Sequence, residues 1–131
     1  MLVVSILEAD IFDDKLYPVM RKTLTDIINF QHAGLIMAGG DTKGMIYRLL
    51  CEMALEYPDI FFTILLSNDR LAYEGAPHIF SLNPDIAYGD RRTAKQRRRE
   101  SLIQRSDIVI CPKEHCNGIR EINWNCEILV M

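Results

Sequence analysis

No apolar run in this chain approaches the roughly 18–20 residues needed to cross a bilayer, so no membrane span is expected in its 131 residues. The opening stretch, MLVVSILEAD, has no basic segment and meets acid at Glu8 and Asp10, so no secretory signal is expected either. Cysteine is scarce: Cys51, Cys111, Cys116 and Cys126 are the only four, and no Cys-x-x-Cys pair occurs. In a chain read as cytosolic, these are expected to be reduced, incidental thiols. Tetrahedral zinc needs four convergent ligands, and Cys111, His115, Cys116 and Cys126 lack the paired spacing, so no metal is expected. The three histidines, His32, His78 and His115, fall in separate loops, and no Ser/His/Asp arrangement is visible. Internal repeats, linkers and low-complexity segments are also missing.

What is present is an ordinary globular composition, 49% hydrophobic and 25% charged, enough for one core and a single domain over residues 1–131. The net charge of −3 hides an uneven distribution. Residues 91–105, RRTAKQRRRESLIQR, hold seven of the fifteen Lys and Arg and a single acid, Glu100. Such asymmetry points to an anionic partner at one place rather than to a generally basic protein.

Apolar and amphipathic segments alternate along the chain. Leu2 to Leu7 reads as a buried strand. Leu16, Val19, Met20, Leu24, Ile27 and Ile28 then fall at helical spacing, with Asp13 or Asp14 as N-cap and Pro18 in the first turn, where its missing N–H costs little. AGLIMAG is a second strand, and Met45, Ile46, Leu49, Leu50, Met53 and Ala54 line one face of a second helix. IFFTILL is a third strand, rich in β-branched and aromatic residues. The two dozen residues after it, SNDRLAYEGAPHIFSLNPDIAYGD, read as a loop long enough to be functional or to hold short elements of its own. A basic helix over 91–105 leads to a fourth strand, DIVICP. The tail, residues 119–131, is open between helix and strand, with helix preferred. Strands apolar throughout and alternating with helices predict an α/β, Rossmann-like three-layer sandwich with a mainly parallel sheet of four to five strands.

In such sheets ligands bind beyond the carboxyl ends of the strands, and AGGDTKG, SNDR and CPKEHCNG all follow predicted strands. A strand, a glycine pair and a helix place unpaired backbone N–H groups at the positive end of a helix dipole, which suits a phosphate. Gly39 and Gly40 allow close backbone approach. Thr42 can cap the helix or bond a phosphate oxygen, and Lys43 supplies charge. The pattern GGDTKG is neither a Walker A loop nor GxGxxG, and a plain glycine corner between strand and helix is the competing reading.

Three segments together resemble the SLOG superfamily, a Rossmann-like group that includes the YpsA-like proteins, the DprA core and the LONELY GUY phosphoribohydrolases. GLIMAGGDTKGMIYRLLCEMALEYPDIFFTILL is similar to the YpsA-like branch in its strand, glycine turn, helix and EYPD exit. RRESLIQRSDIVICPKE resembles that branch's helix-to-strand signature, and NGI falls where its members carry a second glycine turn. The resemblance covers roughly residues 34–120 and implies a nucleotide or nucleotide-derived ligand. It makes Gly39, Gly40, Thr42 and Gly44 the first turn, Arg98 the family arginine, and Asn117 and Gly118 the second turn. Ser106 and Asp107 would shape the crevice at the start of the fourth strand.

The departures from that pattern are specific. Arg99 stands where the family has asparagine, the second turn lacks Gly-Gly-Thr, and the first strand ends EAD without the Gly-x-Arg exit. The glutamate used by the hydrolase members has no counterpart after the first turn, which speaks against LONELY GUY-type hydrolysis. The expectation is therefore a binding or sensing module, with Arg98 or Arg99 and the second turn closing the site opposite Lys43, and no cofactor.

Two alternatives stand beside it. One is a nucleotide-processing enzyme of N-glycosidic type, with Glu8, Asp10 or Asp41 in the missing acid's role; Asp69 also follows a strand. The other is a nucleic-acid-associated protein working through the basic helix, where Arg91, Lys95, Arg98 and Arg105 share one side and Arg92 and Arg99 an adjacent one. The absence of interleaved aromatics and the overall negative charge count against polynucleotide binding. Those arginines also have a purely solvated reading. A homo-oligomer joined through Trp124 and the apolar tail stays open, although core packing is the default for these residues.

Overall fold

The computed structural model describes residues 1–39, 44–65, 79–82 and 94–131. Its elements follow in chain order as β1 (Leu2–Ile6), α1 (Tyr17–Gln31), β2 (Ala33–Gly39), α2 (Met45–Glu56), β3 (Phe61–Leu65), β4 (Ile79–Leu82), α3 (Ala94–Gln104), β5 (Ile108–Cys111), α4 (Ile119–Ile122) and β6 (Glu127–Val130). Among the described residues, the strands form one sheet in the order β4-β3-β2-β1-β5-β6, every neighbouring pair parallel. The Rossmann-like α/β expectation is met.

The sheet carries one strand more than the upper end of the expected four to five. Ile79–Leu82 lies inside the stretch read as a long loop and pairs with β3. The tail corrects the preference for helix: Ile119–Ile122 is a single helical turn, but Glu127–Val130 is a strand against β5. Its burial alternates poorly, the two ends exposed and the middle half-buried, so no period-2 pattern advertised it.

Side chains from successive strand residues go to opposite faces, and both faces are covered. Val4, Ile6, Ile36, Ala38, Ile108 and Ile110 join Met20, Leu24 and Ile27 of α1 and Ile46, Leu49, Leu50 and Met53 of α2 in one core. Leu7, Met37, Val109 and Cys111 join Leu102 and Ile103 of α3 and Ile119 of α4 in the other. Each such fully buried aliphatic stabilises the fold by roughly 1.5–3 kcal/mol before entropy is counted. Two-sided burial is the reason the strands read as continuous apolar runs.

Helix α1 buries Met20, Leu24, Ile27 and Ile28, which lie along one stripe. Asp13 acts one turn earlier than a cap of α1 itself: its side chain accepts from the Lys15 N–H, 3.0 Å, and caps a 3-10 turn over Asp14–Leu16. Polar contacts pin α1 to α2 on the outside. The Tyr17 hydroxyl donates to Glu52, Arg21 pairs with Glu56, and Arg48 bonds Asp14 at 3.0 Å while its guanidinium lies 5.4 Å from the Tyr17 ring centre.

On the opposite face, the Ser5 and Ser106 hydroxyls are bonded to each other, and both reach the Leu102 carbonyl. The Asn123 side-chain amide donates to the Ile103 and Ser106 carbonyls, 2.9 Å each, and satisfies the carboxyl end of α3.

The order of strands sets the place for a ligand. The chain builds β1 to β4 outward in one direction, then returns across the sheet to lay β5 on the other side of β1. The connections leaving β1 and β5 therefore diverge, and a crevice opens beyond their carboxyl ends.

Candidate functional site at the carboxyl edge of the sheet

Gly39 is the last residue of β2, so its backbone ends at that edge. Helix α3 runs back toward the start of β5, which brings its second turn over Gly39. An ideal Cβ on Gly39 would stand 2.8 Å from Arg98 Nε, 3.1 Å from Arg98 Cδ and 3.0 Å from Leu102 Cδ1. Glycine is required here by close approach rather than by its dihedral angles. Arg98 and Leu102, one helical turn apart, are the α3 residues that meet Gly39; Arg98 is only 6% exposed.

Among the described residues, no carboxylate, hydroxyl or carbonyl group bonds the Arg98 guanidinium, although the neighbouring arginines and the outer arginines of α1 and α2 have partners. Among the described residues none of its nitrogens is both fully buried and unpartnered, so the guanidinium, though largely covered, keeps some contact with water. An anion in the crevice would supply its counter-charge.

Gly44 precedes α2 with φ 93°, a left-handed conformation that disfavours any side chain, and among the described residues no side chain caps the first turn of the helix. Gly40, Asp41, Thr42 and Lys43, between these two glycines, lie outside the described residues, as do Asp69, His78, Arg91 and Arg92.

Arg99 has a different role from Arg98. One helical step rotates it by about 100°, and its Nη2 donates to the Asn117 carbonyl at 2.8 Å and to the His115 carbonyl at 3.2 Å. The second turn is thereby tied to α3. Gly118 closes that turn with φ 78° and starts α4, while Asn117 is exposed.

The structure thus brings Gly39 to Arg98 and Arg99 to Asn117 and Gly118. It does not bring Asp107 with them. Asp107 Oδ2 accepts from the Val3 N–H, 2.8 Å, its own N–H donates to the Val3 carbonyl, and its carbonyl accepts from the Glu127 N–H. These bonds lace the amino edge of β1, β5 and β6. Assigning Asp107 and Ser106 to the crevice is corrected for a topological reason: in a parallel sheet every strand starts on the edge opposite the one where ligands bind.

The basic helix is corrected as well. Arg98 is buried whereas Arg105, in the turn after α3, is exposed, so the two do not share a basic face.

Glu8 lies just past β1. The Leu7 N–H still bonds the Ile110 carbonyl at 2.8 Å, and Glu8 itself is left-handed, φ 52° and ψ 47°. For a non-glycine residue that conformation costs on the order of 1–3 kcal/mol and collects at functional sites. The register pairs Ile6 with Ala38 and with Ile110, which sets Glu8 between the ends of β2 and β5. Asp10, two residues on, is exposed on a 3-10 turn.

The thiols are elsewhere in the chemistry. Burial, reinforced by the Cys116 thiol bonded to it, pushes the Cys111 thiol up to about 12. Cys116 donates to the Pro112 carbonyl and Cys126 to the Asn123 carbonyl. Among the described residues no cluster of His, Cys, Asp or Glu is arranged to hold a metal ion, and no helix is long and apolar enough to cross a membrane.

The carbonyl clamp made by Arg99 was not legible in the sequence, nor, on the opposite edge, was the amide cap made by Asn123; both depend on which way a side chain leaves its element. No family model matches the chain, and neither the characterised proteins nor the solved structures compared with it give a significant match.

Proposed function

We propose that this protein binds or senses a nucleotide or nucleotide-derived ligand, whose phosphate lies against the β2–α2 glycine turn and Arg98. The observation that carries the reading is the Arg98 guanidinium: nine-tenths buried, seated on Gly39 at the carboxyl edge, and without a bonded anion among the described residues. A planar guanidinium suits phosphate oxygens, and so do backbone N–H groups at a helix start. The resemblance to the SLOG superfamily, in GLIMAGG and in the RRESLIQRSD segment, supports the same choice of ligand. It names Gly39, Gly40, Thr42 and Gly44 on one side and Arg98, Asn117 and Gly118 on the other, and Lys43 would add charge beside the first turn.

A second reading, hydrolysis of an N-glycosidic bond, has one observation in its favour. Glu8 holds a strained conformation beside the same crevice, where a carboxylate can serve as general acid or base.

The test is a thermal-shift screen of nucleotides, cyclic dinucleotides and ADP-ribose derivatives. A ligand at a hundred times its dissociation constant adds about 2.7 kcal/mol, a shift of several degrees for a domain of this size. Loss of the shift in Arg98→Gln supports the reading; no shift with any compound, from folded protein, overturns it. Turnover that disappears in Glu8→Gln with binding retained would select the enzyme.

A further inference from the structure

We infer that Arg99 is a positioning residue that holds the turn over residues 113–118 at a fixed distance from Arg98, making that turn the β5-side wall of the crevice; this rests on the phosphate-site reading above. Adjacent arginines on one helical turn have divided their work. Arg98 lies against Gly39 at the end of β2, whereas Arg99 spends its Nη2 on the His115 and Asn117 carbonyls.

The turn is short, and its other ties lie at its two ends. Its 3-10 segment spans only Lys113–His115, and α4 beyond it is a single turn. Gly118 between them sits in the left-handed region. The Lys113 N–H bonds the Met131 carbonyl at 3.2 Å and the Cys116 thiol bonds the Pro112 carbonyl at 3.2 Å, so the first half is anchored to its surroundings. In the second half Asn117 is exposed while Cys116 and Ile119 pack toward Leu102 and Ile103 of α3, and the Arg99 clamp is the polar contact that joins the Asn117 carbonyl to α3. Because α3 is a rigid rod over this stretch, clamping the turn to Arg99 also sets its separation from Arg98.

Charge and position make different predictions for lysine. Arg99→Lys keeps the positive charge, but the side chain ends one bond short and loses the planar fork that reaches two carbonyls. If Arg99 acts only by attracting an anion, lysine rescues; if it acts by holding the turn, lysine does not.

The experiment is NMR on wild type, Arg99→Gln, Arg99→Lys and Arg98→Gln. It reads amide hydrogen exchange over residues 113–119 without ligand and the affinity for inorganic phosphate from shifts near Gly39. Expected is about tenfold faster exchange in both Arg99 variants, from the loss of bonds to two carbonyls, and unchanged exchange in Arg98→Gln. Phosphate affinity is expected to fall several-fold in both Arg99 variants and to vanish in Arg98→Gln.

Unchanged exchange in Arg99→Gln overturns the inference. So does faster exchange with unaltered phosphate affinity, or an affinity that lysine restores while exchange stays fast; in each of these cases the phosphate site itself stands. If phosphate leaves wild-type Gly39 unperturbed, the site reading falls and the inference falls with it.

Discussion

Arg98 Nε stands 2.8 Å from the point where a Cβ on Gly39 would lie, so the arginine on α3 fills the space that a side chain at the end of β2 would need. This contact ties the two halves of the sequence to one edge of the sheet, and most of the testable consequences start from it.

Gly39→Ala should force Arg98 and Leu102 apart by a few tenths of an ångström. Overpacking of this kind costs about 1–3 kcal/mol, and Gly39→Val more. Urea unfolding gives the stability, and phosphate binding should weaken in the same variant. An alanine variant with native stability and native binding would show that the contact is slack.

Replacing Arg98 with methionine should separate stability from binding. Methionine keeps the packing stem and removes a buried charge that has no bonded partner among the described residues. Even whole buried ion pairs can be replaced by apolar residues of similar volume without loss of stability, and here no ion-pair partner among the described residues would be left behind. The expected result is equal or higher resistance to urea with anion binding gone. Destabilisation by more than about 3 kcal/mol, the loss typical of breaking a buried pair, would mean that Arg98 is a structural ion instead.

Glu8 and His32 are the two non-glycine residues with positive φ among the described residues, and glycine at either should relieve strain. His32→Gly, at the carboxyl end of α1, should stabilise by about 0.5–1 kcal/mol without touching ligand binding. Glu8→Gly should stabilise similarly but alter binding or turnover, since it lies beside the crevice. Equal functional silence in both would make the Glu8 conformation a matter of chain reversal alone.

The buried Cys111 thiol gives an alkaline limit to stability. Its folded value is raised to about 12 from an ordinary 9.0, so the folded state holds the proton that the unfolded state releases first. The stabilisation is complete below pH 9 and is lost as pH rises toward 12. Cys51 and Tyr17 are shifted in the same direction. Urea midpoints at pH 8, 9.5 and 11 should fall less steeply in Cys111→Ala than in wild type. Parallel slopes would remove Cys111 from the account.

The sequence by itself determined the alternation of strands and helices and the buried faces of α1 and α2. It also placed a glycine turn at a strand end. Each is written in consecutive residues: Met20, Leu24, Ile27 and Ile28 repeat at helical spacing, and the strands are apolar on both faces because both are covered. Arg97, Arg98 and Arg99 carry no such mark. They differ only by rotations of about 100° around one helix, and the contact with Gly39, dozens of residues away in the chain, decides that Arg98 is the one turned inward.

The same holds for Asp107, polar and close to a strand but on the amino edge because the strand begins there. It holds also for Glu127–Val130, whose place in the sheet comes from pairing with β5 and not from its own pattern. Local periodicity can be read from neighbours in sequence. Which side chain meets which, and on which edge, is fixed by long-range packing, and the candidate site is made of those meetings.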